Sequence, residues 1–196
     1  MRMKEQPKTV LDEILSHNRE FVRSKAYEAY RTTKFPDKKM VVVTCMDTRL
    51  TELLPKAMNL RNGDAKIIKV AGAIVLQPFG NVMRSVIVAI YALGAQEVFV
   101  VGHRDCGMTG LDPNAILSKA KACGVREEVF ETIRNSGIDL ARWLHGFRDV
   151  HEGVRESVGI IRRHPLLPPG VPVHGLVIDP ETGELELVEE GYGVLA

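Results

Sequence analysis

Three cysteines in 196 residues are too few, and odd in number, to build a disulfide framework. The thiols are therefore expected to stay reduced and free to act as ligands. Charge of one sign is also lacking. Twenty-six basic side chains stand against 25 acidic ones, a formal charge of +1, which excludes bulk attraction to nucleic acid or to an anionic membrane as the main function. No segment approaches the roughly 20 continuous apolar residues that cross a bilayer, and the opening MRMKEQPKTVLDEIL has no apolar core of a signal peptide. These absences predict a cytoplasmic protein with no membrane and no nucleic-acid partner. Repeats, low-complexity tracts and long linkers are missing as well, so residues 1–196 read as one domain, a helical arm over 1–35 leading into an α/β core over 36–196.

What is present is an alternation of helical and extended stretches. Residues 8–31 place Leu11, Ile14, Leu15, Phe21 and Val22 at helical spacing, with Thr9 as N-cap three residues before Asp12, which predicts an amphipathic leading helix. MVVVTC at 40–45 lacks alternation and reads as a strand covered on both faces, and AKIIKVAG at 65–72 reads the same way. NVMRSVIVAIYALG at 81–94 predicts a buried helix with Gly94 just past its end. EVFVVG at 97–102 is a third strand, 113–163 a polar helical stretch, and VPVHGLVID at 171–179 a fourth strand. After the PETG turn, ELELVE at 184–189 alternates and is expected to lie antiparallel at an edge. Together these predict an α/β fold: a mostly parallel sheet in the order 2-1-3-4 with an antiparallel edge strand, and helices on both faces.

In such sheets ligands bind beyond the carboxyl ends of the strands. The first strand ends in CMDTR, 45–49, and the third runs into HRDCG, 103–107. The order 2-1-3-4 opens both loops into one crevice, where Cys45, His103 and Cys106 could meet. Two thiolates and an imidazole suit zinc, and three protein ligands leave the fourth tetrahedral position open, the mark of a catalytic site. One Zn2+ per chain is expected. Asp47 then gains a role, accepting a hydrogen bond from a zinc-bound hydroxide and aiming it, while Arg49 holds that carboxylate with its planar fork. In a rival role Asp47 fills the fourth position itself in a closed state. Asp105 is expected to brace the loop or the His103 ring.

Each residue alone has a plainer reading. Cys45 by itself is an inert buried thiol, and Asp-x-Arg by itself a surface ion pair worth under about 1 kcal/mol. The combination at these offsets on strand ends points to a metal site. Cys123, His17, His145, His151, His164 and His174 have no such company and read as packing or surface residues. The HRD triplet lacks the downstream asparagine of a kinase catalytic loop, where Gly110 stands.

At these residues the chain resembles the β-class carbonic anhydrases, in their compact branch. The family pattern Cys-x-Asp-x-Arg, followed by His-x-x-Cys-Gly, stands here as CMDTR and HRDCG. LDEILSHNREFV and VRESVGIIRRHPLLPPGVPVHGLVIDPETGEL, residues 154–185, extend the similarity over most of the chain except about 112–145. The resemblance implies reversible hydration of carbon dioxide to bicarbonate and a proton by zinc-bound hydroxide, in a homodimer or an assembly of dimers with sites near the subunit interface. It also implies that Gly72 and Gly107, in the family's turn positions, support the ligands. Many members carry Arg-Asn-Ala-Gly where this chain has Lys69-Val70-Ala71-Gly72, so the hydrogen bonds of those two side chains are expected to be absent or replaced. Two other functions keep the metal residues: hydrolysis of carbonyl sulfide or carbon disulfide by the same attack, and a non-enzymatic zinc or thiol sensor, which has no need of Asp47 and Arg49.

Overall fold

The structure, a computed structural model, describes residues 9–194. They fall into two compact units, one ending at Thr33 and the other beginning at Lys34. The first unit holds α1 (Val10–Arg23) and a short 3-10 helix, Ala26–Tyr30. Thr9 caps α1 as expected: its hydroxyl accepts the Asp12 amide, and the Asp12 carboxylate accepts the Thr9 amide. The single helix predicted over 8–31 is corrected, because Ser24 caps the helix and Lys25 adopts a left-handed φ of 57°, which a right-handed helix cannot continue. Position 8 of that prediction lies outside the described residues. No residue of α1 is buried, and Val10, Leu11, Ile14, Leu15 and Val22 leave an apolar face exposed.

The second unit is built on five strands: β1 (Met40–Cys45), β2 (Ala65–Val70), β3 (Glu97–His103), β4 (Val173–Ile178) and β5 (Leu185–Glu189). Their order is β2-β1-β3-β4-β5, with β1 to β4 parallel and β5 antiparallel to β4. Every residue of β1 is buried, which a sheet achieves only with helices on both faces. Val41, Val42, Val43, Val98, Val100, Val101, Val173 and Val177 form the centre of the core. At about 1.5–3 kcal/mol for each buried aliphatic side chain, this strip dominates the stability over exposed ion pairs of about 0–1 kcal/mol.

Helices α2 (Leu50–Ala57) and α3 (Asn81–Tyr91) make the first crossovers, and α4 (Pro113–Ala122), α5 (Glu127–Asn135), α6 (Leu140–Trp143) and α7 (Val150–Arg162) lie between β3 and β4. α7 packs closely on β3 and β4 because Gly102 and Gly175 face it: a Cβ at either would stand 2.8 or 2.6 Å from Val154.

Several details depart from the sequence reading. β2 is a half-exposed edge strand, with Ile67 43% exposed, so its apolar run does not mean cover on both faces. It stops at Val70, where Ala71–Ala73 turn with Gly72 at φ 65°. α2 runs through Pro55, which hides it from a pattern search. α3 is buried on one side only and ends at Tyr91, with Gly94 left-handed beyond it. The stretch 113–163 divides into four helices, with left-handed Gly124 and Gly137 at two of the breaks. In β5 a register shift falls between Leu187 and Glu189, opposite Leu176 and Gly175, and Leu187 is exposed. Among the described residues no helix is long and apolar enough to cross a membrane.

Candidate metal centre

Cys45 is the last residue of β1 and His103 the last of β3, and the two strands are paired in parallel. Their carboxyl ends therefore open side by side, and the turn after β3 brings Cys106 back to the same place. The two sulfurs lie 3.9 Å apart, and they and a ring nitrogen of His103 all fall within 4.8 Å of one another. All three residues are buried. This is the one group of three among the described residues whose donor atoms converge so that they could hold a metal ion.

The donor set fits zinc. Tetrahedral zinc with Zn–S bonds of about 2.3 Å separates two sulfurs by roughly 3.8 Å, close to the spacing found. Nδ1 of His103 lies 2.8 Å from the Arg104 carbonyl. A carbonyl only accepts, so Nδ1 carries the proton and the lone pair sits on Nε2. That Nε2 is buried with no hydrogen-bond partner, which costs free energy unless something takes the lone pair. The sulfurs share a hydrogen bond that pulls the Cys45 thiol down to about 4 and, together with burial, pushes Cys106 well up. Without a cation the pocket holds one negative charge readily and resists a second. A divalent ion removes that conflict.

Asp47 lies beside this group, its Oδ2 3.7 Å from His103 Nε2. Arg49 donates to it three times: the backbone amide and Nε to Oδ1, at 2.8 and 3.1 Å, and Nη2 to Oδ2 at 2.9 Å. Those hydrogen bonds hold the Asp47 carboxyl at about 2. Arg49 also reaches the second ligand loop, donating to the Asp105 carboxylate and to its backbone carbonyl, both at 3.0 Å. Asp105 sits between the two ligands of that loop with a left-handed φ of 53°. Arg49 thus links Asp105 to Asp47, while the His103 ring meets the Arg104 carbonyl and not Asp105.

The remaining expected supports differ. Gly72 donates its amide to the Cys45 sulfur at 3.3 Å, in a left-handed turn where a Cβ would press on Ile74, Met108 and Phe147 at 3.0 Å each. Gly107 faces open space, and a Cβ there would meet nothing within 4 Å. At the changed family turn, Lys69 donates to Thr51 Oγ1 at 3.0 Å. These three apolar neighbours of Gly72 were not visible in the sequence, because they converge from three separate segments. Phe147 also lines a mostly apolar cavity of about 500 Å³ with Ile74, Val75 and Ser157. Its segment is tied to the ligand loop by hydrogen bonds between Phe147 and both Met108 and Gly110. Cys123 is exposed, whereas His164 and His174 are buried away from the thiols.

A mostly parallel α/β sheet with soft donors converging at its strand ends defines a class of protein in which three side chains could hold a metal ion. Comparison with known proteins narrows it. The family model for carbonic anhydrase matches residues 40–185, and the chain belongs to the β-carbonic anhydrase family. YvdA of Bacillus subtilis (strain 168), which bears the carbonic anhydrase name only provisionally, is 61% identical over 182 residues, 93% of this chain and 92% of its own. A carbon disulfide hydrolase of Acidithiobacillus thiooxidans is 27% identical over 158 residues, 76% of each chain. Among solved structures, β-carbonic anhydrase isoform I of Trichomonas vaginalis superposes with a TM-score of 0.86 at 33% identity, covering 94% of this chain and all of its own.

Proposed function

We propose that this protein interconverts carbon dioxide and water with bicarbonate and a proton, using one zinc ion held by Cys45, His103 and Cys106. The observation that carries this reading is the unpartnered Nε2 of His103, close to two sulfurs, with the clamped carboxylate of Asp47 3.7 Å away. Zinc, when bound, supplies Lewis acidity that makes water a nucleophile near neutral pH. The two thiolates offset much of the ion's charge, so the chain's own residues have to aim that nucleophile.

Asp47 is suited to this. Held ionised by Arg49, it offers an acceptor oxygen to an O–H proton and so turns the oxygen lone pair toward the substrate carbon. Arg49 keeps both carboxylate oxygens engaged, which favours the aiming role over Asp47 as a fourth ligand. Ile74, Met108 and Phe147 pack around Gly72, whose amide meets the Cys45 sulfur, and such apolar surroundings suit a small nonpolar substrate. The exposed apolar face of α1 supports a homodimer or an assembly of dimers, to be checked by sedimentation at micromolar concentration. A cytoplasmic location is part of the same reading and is checked by cell fractionation.

The test is stopped-flow hydration on zinc-loaded protein, with Cys106→Ser and Asp47→Ala beside wild type. Wild type is expected to accelerate the reaction and both variants to lose most of that acceleration. Equal rates in all three overturn the proposal. Similarity to a carbon disulfide hydrolase favours a second substrate, since the same attack at a C=S carbon releases hydrogen sulfide. Sulfide evolution from carbon disulfide at a rate exceeding bicarbonate formation would transfer the assignment to that reaction.

A further inference from the structure

We propose that Arg104 is a positioning residue for the metal ligand His103, acting through the peptide whose carbonyl sets the tautomer of the ring. This rests on the zinc reading above and extends it to a side chain that points away from the pocket. The His103 ring can offer its Nε2 lone pair only while Nδ1 keeps its proton, and the Arg104 carbonyl 2.8 Å away is what holds that proton. The orientation of that carbonyl is therefore part of the metal site.

Two arginines anchor the two residues that this peptide joins. On the inner side Arg49 donates to the next carbonyl, that of Asp105, at 3.0 Å. On the outer side the Arg104 guanidinium reaches over β4 to β5. Gly102 pairs with Val177 and Val177 with Glu186, so Glu186 lies two strands across from the end of β3. Nη2 donates to Glu186 at 3.2 Å, and Nη1 lies 3.6 Å from Asp179. Both acceptors are themselves held in place. Asp179 receives the amides of Glu181 and Thr182 at 2.8 and 3.1 Å, and Glu186 is met by His151 of α7 at 3.1 Å. A planar fork suits two separate carboxylates better than the single ammonium of a lysine.

The pairs are half exposed, and such pairs add little to stability. Arg104 is thus expected to matter for geometry and hardly at all for folding, which makes the role separable from a structural one. Apoprotein is reloaded with zinc, and the dissociation constant is measured by competition with a chelating indicator for wild type, Arg104→Met, Arg104→Lys and Glu186→Gln. Urea midpoints of the four apoproteins are recorded alongside.

Arg104→Met is expected to weaken zinc binding about tenfold, the lower end for a residue behind a ligand. Arg104→Lys should recover part of this loss and Glu186→Gln reproduce part of it, with apoprotein midpoints unchanged. The proposal is overturned if Arg104→Met binds zinc as tightly as wild type, or if its loss of affinity is matched by a loss of apoprotein stability. It is equally overturned if Arg104→Lys is no better than Arg104→Met. Wild type that fails to take up one zinc per chain would instead refute the underlying metal reading, and that result is recognisable before any variant is compared.

Discussion

His103 and His174 stand on neighbouring strands of one sheet, both nearly fully buried, and both leave Nε2 without a hydrogen-bond partner. They differ in what meets Nδ1. His103 Nδ1 faces a carbonyl, so the ring proton is there and Nε2 has its lone pair free. His174 Nδ1 accepts the Gly191 amide at 3.0 Å, so its proton lies on Nε2, 3.9 Å from the Glu97 carboxylate. One ring is prepared to bind a metal and the other is not.

Their surroundings agree with this assignment. His103 meets sulfur and carboxylate at the carboxyl end of its strand, whereas His174, at the amino end of β4, stacks on Phe99 at 4.8 Å and meets the Tyr192 ring edge-on at 4.6 Å. Tyr192 in turn donates to Glu97. The same residue type at the same burial thus offers a free lone pair to the thiol pocket at one end and fastens the C-terminal segment at the other.

The largest effect separates the two histidines outright. His103→Ala should abolish stoichiometric zinc uptake and with it catalysed hydration, while His174→Ala should keep zinc but lose about 3 kcal/mol of stability by emptying a packed aromatic site. Metal analysis and urea unfolding of the two variants read these outcomes, and a swap of phenotypes would break the contrast.

Next in size is Arg49→Ala. It frees Asp47 and Asp105 together, so hydration should fall about 10- to 100-fold and the Asp47 carboxyl should titrate higher than in wild type, as followed by carboxyl-carbon NMR.

Glycines near each histidine give a smaller pair of effects. A Cβ at Gly191 would come within 2.7–2.9 Å of the Val173 backbone, which cannot yield. Gly191→Ala should therefore detach the C-terminal segment from His174, seen as faster amide exchange there, with zinc uptake intact. Gly72→Ala, strained by its φ of 65°, should cost about 1 kcal/mol or more and weaken zinc binding as well.

The smallest effect is one of pH. Burial, aided by Arg162, holds the His174 pKa below its usual value against the opposing charges of Glu97 and Glu190. Above about pH 6.5 neither the folded nor the unfolded chain protonates this ring, and its contribution is fully present. As pH falls through that value the unfolded chain takes up a proton that the folded one refuses, so stability is lost until the lowered folded pKa is passed. His174→Gln, which keeps an acceptor for Gly191 but does not titrate, should remove this part of the pH dependence of the urea midpoint.

The sheet order, the antiparallel edge strand and the meeting of Cys45, His103 and Cys106 could all be read from local pattern, because strand signals and donor types are properties of short stretches. The pairing of Asp47 with Arg49 beside this group was legible for the same reason, since they stand two and four residues from Cys45. Other features were hidden by neighbours distant in sequence. β2 has the apolar composition of a covered strand yet lies at an edge, and Phe147 comes against Gly72 only because the loop before α7 pairs with the residues after Cys106, whereas α2 is masked locally by its own proline.

What the amino-acid order determined unaided was the supply of chemistry: two thiols, an imidazole and a carboxylate with its arginine, placed where strands end. Which histidine could use that chemistry was decided by the tertiary structure alone. A ring nitrogen takes its protonation from the group pressed against it, and for His174 that group lies 17 residues away in the chain. For His103 the carbonyl is its immediate neighbour, but the anchors that aim it, Arg49 and Glu186, come from the turn after β1 and from β5, and only folding brings them together.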